Sequence, residues 1–250
     1  MPASVAALVD DARAVAAGAL PADPPTVDEP VLRALTVPDT ALRALGEAAT
    51  TAPVSLRVTG GAGALGPALE HAVRVVGERL LAVSIALRDE DDLGRNAERI
   101  VRVLDGELPD DVLASVEVPA PPTGRPTPTW LDAVDRLGAE GHGVAFRPAP
   151  GDPVATVAVV DAALDRECPV HLAGDTSLDL TLGALAAVRV LWDGGGRDEA
   201  VRMLAEPGSA GADVRGWDDA AGASARRWLR AVESTDPAAL VTALRAVLTV

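Results

Sequence analysis

The stretch Pro53–Gly66, PVSLRVTGGAGALG, admits two readings, and the choice between them decides the fold. Its second half matches the glycine fingerprint G-x-G-x-x-G at Gly61, Gly63 and Gly66, with Asp89 and Glu90 at the spacing of a ribose-binding acid. Its first half argues otherwise. Val54, Leu56 and Val58 alternate with Ser55, Arg57 and Thr59. A central strand of a doubly wound sheet is covered by helices on both faces and reads as a nearly continuous apolar run. A strand with one apolar and one polar face fits a closed barrel, whose outer face lies under helices and whose inner face looks into the lumen.

Working outward, the same alternation recurs. Val116 and Val118 alternate with Ser115 and Glu117, Val144 and Phe146 with Ala145 and Arg147, and Val170 and Leu172 with His171 and Ala173; Ser84, Ala86 and Arg88 continue the series. Six β candidates, at 31–38, 53–59, 80–87, 113–120, 143–149 and 169–174, are separated by helical patterns, several opening on Asp or Thr and closing on Gly. This βα alternation predicts one domain over residues 1–250, an α/β fold with a parallel (β/α) barrel of TIM type, irregular in its last third. The opening MPASVAALVDDARAVAAGAL reads as a helix, EPGSAGADVRGWDDAAG as loop, and DPAALVTALRAVLTV as a terminal helix with Pro237 in its first turn; the missing strands are sought in ADVRGW and RAVES.

Composition bounds the function. The formal net charge of −15 opposes a phosphate backbone, so nucleic acid is not an expected partner. No run approaches the ~18 apolar residues of a membrane span, and Asp10 and Asp11 interrupt what would be the core of a signal peptide; the expectation is a soluble, cytoplasmic chain, with self-association left open. Cys168 is the single cysteine, so no internal disulfide forms. The sequence contains no lysine and no tyrosine, which removes Schiff-base chemistry. The TGGAGALG turn resembles that of short-chain reductases and epimerases, but that family's Tyr and Lys catalytic pair is missing, and the expectation is no nucleotide cofactor. The alternatives are an ordinary βα loop or a phosphate site at a helix N-terminus.

Several segments in order resemble an uncharacterised family of actinobacterial proteins with LVDDAALFPP, VEVP, KFRTGG, FKATAGLHH and GFLN motifs. Here they are LVDDA at Leu8–Ala12, SVEVP from Ser115 with Trp130 in the next helix, AFRPA from Ala145, PVHLAG from Pro169 and LGALAAV from Leu182. The resemblance implies a (β/α) barrel and brings no assigned reaction. Glu117 and Arg147 are kept. The lysine of KFR is replaced by Ala145, that of FKATAGLHH aligns with His171, the paired histidines give way within Asp175, Thr176 and Ser177, and GFLN becomes Gly183, Ala184, Leu185 and Ala186.

The candidate residues follow from the inner faces. Glu117 is a general acid or base, or else half of a structural ion pair. Arg57, Arg88 and Arg147 clamp a carboxylate or phosphate, or else partner Glu117 and nearby acids; Asp175 joins them as a substrate-binding candidate. His171 is the second proton-transfer candidate, or a satisfied interior histidine. His71 and His142 are expected at the surface, and the four tryptophans in helix packing. With no paired histidines and no cysteine cluster, no metal site is assigned, although oxygen ligation of Mg²⁺ around Glu117 stays open. These residues predict an acid/base lyase or isomerase acting on a small anionic metabolite; the alternative is a catalytically degenerate barrel that binds without turnover, and a nicotinamide-dependent reductase is the least favoured reading.

Overall fold

A computed structural model describes residues 5–22, 29–48, 51–88, 92–121 and 124–248. Asp89 and Glu90, part of the proline-rich connector after the first helix and part of the Pro119–Trp130 loop lie outside these residues. Eight strands, β1 (Val9–Asp11), β2 (Leu32–Pro38), β3 (Val54–Val58), β4 (Leu80–Ala86), β5 (Leu113–Glu117), β6 (Gly143–Phe146), β7 (Val170–Leu172) and β8 (Leu229–Ser234), close into an all-parallel barrel in sequence order. The open-sheet alternative is thereby removed. Around the barrel run α1 (Arg13–Ala17), α2 (Leu42–Glu47), α3 (Ala62–Val76), α4 (Leu93–Glu107), α5 (Pro128–Ala139), α6 (Pro153–Leu164), α7 (Leu178–Trp192), α8 (Arg197–Ala205), α9 (Pro207–Arg215), α10 (Asp219–Trp228) and α11 (Pro237–Leu248).

Local chemistry sets many of these elements. Asp92, Thr127, Asp152, Ser177 and Asp218 each accept a hydrogen bond from the N–H three residues on, at the starts of α4, α5, α6, α7 and α10. Pro128 and Pro153 occupy first-turn positions, where no N–H is needed. On the barrel's outer face Val54, Leu56, Ile85, Val116, Val144 and Val170 are fully covered by the helical layer. Residues between them pair in register around the ring: Thr36 beside Ser55, Arg57 beside Ser84, Ser84 beside Ser115, and Glu117 beside Ala145. Barrel interiors are commonly filled by branched apolar side chains. Here the inner ring carries small and charged residues.

Four expectations need correction. The described part of the segment read as one opening helix, from residue 5 on, contains β1 followed by the five-residue α1; three strand residues are too few to display a two-residue period. The loop assigned to EPGSAGADVRGWDDAAG is α9 followed by the start of α10, so ADVRGW supplies no strand, while RAVES lies in β8. α9 packs against α7 and α11, and Gly211 faces Val247 and Leu182 there, at distances where a Cβ would make ordinary van der Waals contact. His142 is buried, with Nε2 3.6 Å from Asp105, and burial lowers its pKa; the Gly141 turn directs it inward beneath β6. No helix among the described residues is long and apolar enough to cross a membrane.

Candidate functional site

At the C-terminal mouth of the barrel, charged side chains from β3, β5, β8 and the end of β6 meet over the lumen. Arg57 on β3 donates through Nη1 to Glu117 Oε2 on β5 at 2.5 Å and through Nη2 to Glu233 Oε1 on β8. Arg147, just past β6, donates through Nε to the other Glu117 oxygen at 2.7 Å. Glu233 is fixed from its far side by the Gly174 N–H, 2.7 Å from Oε2. The result is a chain, Arg147–Glu117–Arg57–Glu233, in which charges balance two against two. Its inner end is dry and its outer end wet: the Glu233 side chain is 2% exposed, that of Glu117 14% and that of Arg147 58%. Burial disfavours the Arg57 charge, yet Glu233 and Glu117 together outweigh it and hold its pKa above the ordinary value.

His171 lies deeper. Its Nδ1 is 3.4 Å from the Ser115 hydroxyl, and its Nε2 faces Glu233 Oε1 at 3.8 Å and Asp10 Oδ2 at 4.0 Å, beyond hydrogen-bond reach of either. Asp10 is held bidentately by Arg33, with both N–O distances 2.9 Å. Burial pushes the His171 pKa down to about 4, overriding the Asp10 and Glu117 charges that would raise it, so the imidazole is neutral at pH 7. Thr36 Oγ1, Arg57 Nε and His171 Nε2 are buried without a hydrogen-bond partner among the described residues.

The structure thus joins Arg57, Glu117 and Arg147 directly and places His171 below them. Arg88 and Asp175 stand apart. Arg88 donates to the Gly60 carbonyl at 3.1 Å and, with Gly60–Gly63, Ala86, Asn96 and Arg99, lines a cleft of about 180 Å³ at the ends of β3 and β4. Ala86 pairs in register with Glu117, so this cleft adjoins the charged chain. Asp175, on the rim, accepts from the Thr235 N–H at 3.0 Å, which lowers its pKa.

Of the fingerprint glycines only Gly61 lies in the β3–α3 loop, at the N-cap of α3, and Gly63 and Gly66 fall in the first turns of that helix; the loop and first turn face the Arg88 and Arg99 guanidinium groups. Gly61 has φ +76° and ψ −174°, a combination almost confined to glycine, and a Cβ there would come within 2.8 Å of Arg88 Nε. Gly61→Ala is expected to cost about 1–3 kcal/mol in a urea titration through backbone strain alone, and to displace Arg88 from the cleft.

Asp10 and Glu233 escaped the sequence reading. Asp10 stood in a segment read as helix, and Glu233 in a strand recognised only as a candidate; the available signal was the inner-face alternation of Ala231 with Glu233. Among the described residues no group of three His, Cys, Asp or Glu is placed to hold a metal ion. The mouth and the adjoining cleft thus bring the Arg147, Arg88 and Arg99 guanidinium groups and the Glu117 carboxylate to one end of the barrel. Comparison with protein-family models, with curated proteins and with solved structures finds no match, so the functional reading rests on this geometry.

Proposed function

We propose that the C-terminal mouth binds a small anionic metabolite, a carboxylate or phosphate, and that Glu117 moves a proton on it, as in a lyase or an isomerase. The observation that carries this reading is the asymmetry of Glu117. Its Oε2 is tied to buried Arg57, whereas its Oε1 is tied to half-exposed Arg147. A pair that reaches solvent is worth only about 0–1 kcal/mol, so a bound anion that takes the Arg147 guanidinium in forked geometry releases Oε1. That oxygen then accepts a proton from the carbon beside the anionic or carbonyl group and returns it to the product. Arg57 keeps the carboxylate aimed, and the Gly60–Gly63 cleft with Arg88 and Arg99 offers space for a second anionic group.

A second reading, a barrel that binds without turnover, is favoured by one feature: both Glu117 oxygens are already occupied, and His171 is out of hydrogen-bond reach of its facing carboxylates.

Proton NMR in D₂O separates the two, with pyruvate, 2-oxoglutarate and dihydroxyacetone phosphate as probes. Enzyme-dependent exchange of a carbon-bound proton is expected for at least one probe, slowed about 10²–10⁴-fold in Glu117→Gln. Arg147→Gln should raise the half-saturating concentration by about 10–100-fold. Binding of a probe by melting shift with no exchange would favour the second reading, and exchange unaffected by Glu117→Gln would end the acid/base assignment.

A further inference from the structure

The opposite, N-terminal end of the barrel carries a concentration of positive charge that the mouth does not use. Two irregularities in strand pairing place it there. Between Val9 and Asp10 the β1–β2 register skips from Leu32 to Ala34, leaving Arg33 as the extra residue; between Val170 and His171 the β7–β8 register skips from Leu229 to Ala231, leaving Arg230 as the extra residue. A bulge redirects the side chain it inserts. Both arginines consequently line one cavity of about 20 Å³, whose inner end is formed by Ser115 and His171.

The charges around it do not cancel. Arg33 spends Nε and Nη2 on Asp10. Arg230 has no side-chain hydrogen bond or ion pair among the described residues, and its neighbour Arg226 is tied by Nε and Nη2 to the carbonyls of Ala6, Ala7 and Arg230 while its buried Nη1 has no partner. Among the described residues three guanidinium groups thus share one carboxylate, Asp10, in a chain whose net charge is −15. Burial first, and then repulsion from Arg33, lower the pKa values of Arg226, to about 10, and of Arg230. Like charges gathered in a partly buried place favour a counter-ion.

We propose that this cavity is a structural site for one compact inorganic anion of halide size, chloride in the first instance, held by Arg33 and Arg230 with the Ser115 hydroxyl at its inner end. The volume favours the size class: a cavity of about 20 Å³ encloses a single water-sized ion more readily than a phosphate or a carboxylate-bearing metabolite. The site clasps β2 to β8 across the lumen, at the end of the barrel where TIM folds place stability and not chemistry.

The test uses the whole chain and two measurements. Melting is followed while sodium chloride replaces sodium methanesulfonate at constant ionic strength. A saturating rise of about 2–4 °C is expected in wild type, and none in Arg230→Gln. Crystals grown without halide and soaked in bromide should show an anomalous peak between Arg33 and Arg230. Equal melting in the two salts, an equal rise in Arg230→Gln, or a bromide peak unaccompanied by a chloride-specific rise would each overturn the proposal. Should Arg230→Gln fail to fold, a wild-type crystal with no bromide peak in the cavity overturns it equally.

Discussion

Arg57→Met is expected to lower folding stability by about 3–5 kcal/mol, the usual consequence of removing one partner of a buried ion pair. Arg57 stands between Glu117 and Glu233, and the Glu233 side chain is 2% exposed, with one backbone N–H as its remaining hydrogen bond and the neutral His171 ring 3.8 Å away. Removing the guanidinium leaves a carboxylate without a counter-charge where water does not replace it. Glu117 suffers less, because Arg147 still reaches it at 2.7 Å. The effect should therefore concentrate on Glu233, and a second substitution shows it: with Glu233→Met added, most of the loss should be recovered, leaving about 1–3 kcal/mol for the Gly174 N–H that has lost its acceptor. Urea midpoints at constant slope provide the measurement. A loss under 1 kcal/mol in the single variant would mean that solvent reaches Glu233 and that the lumen is not the dry enclosure described above.

The second large effect is a pH dependence centred on His171. Its pKa lies at about 4 in the folded chain, against an ordinary value of 6.5, because burial penalises the imidazolium more than Asp10 and Glu117 favour it. Below pH 6.5 the unfolded chain binds a proton at this position and the folded chain does not, so stability is complete above about 6.5 and falls as pH drops toward 4. Integrated over that window the loss is about 3 kcal/mol. The carboxylates also titrate there, which makes the informative quantity a difference between proteins. The stability gap between wild type and His171→Asn should shrink by that amount from pH 7 to pH 4. Parallel curves would show that His171 titrates normally and is open to solvent.

Both predictions concern residues that the sequence singled out; it offered Glu117 as a partner of Arg57, but not Glu233, and not the Asp10 that faces His171. The two-residue alternation in PVSLRV or SVEV is a local property: adjacent side chains on a strand point to opposite faces whatever the strand pairs with. Five of the eight strands were legible for that reason, a sixth as a β-branched run, and most of the helices with Asp, Ser or Thr at their starts were legible too; α10, which opens on Asp218, was read as loop. β1 was missed because three residues between alanine-rich flanks carry no period. α9 was missed because glycine, serine and proline favour turns in isolation, and its contacts with residues of α7 and α11 outweigh that tendency.

Within the site the division is similar. That Arg57, Glu117, Arg147 and His171 share the inner faces of their strands follows from parity along each strand. Which of the many acids each arginine meets does not, since Glu117 lies 60 residues from Arg57 and Glu233 lies 176. Those encounters depend on barrel closure and on the stagger between strands, which are set by packing around the whole ring. Register irregularities are equally silent in the chain: nothing local to Arg33 or Arg230 announces that a skipped residue turns each toward the N-terminal cavity. The sequence alone determined the strand faces, the helix starts and the acidic charge, because these are fixed by neighbours along the chain. Closure, the Arg147–Glu117–Arg57–Glu233 chain and the neutral state of His171 belong to the tertiary structure, because desolvation and charge pairing arise only when distant segments enclose a common interior.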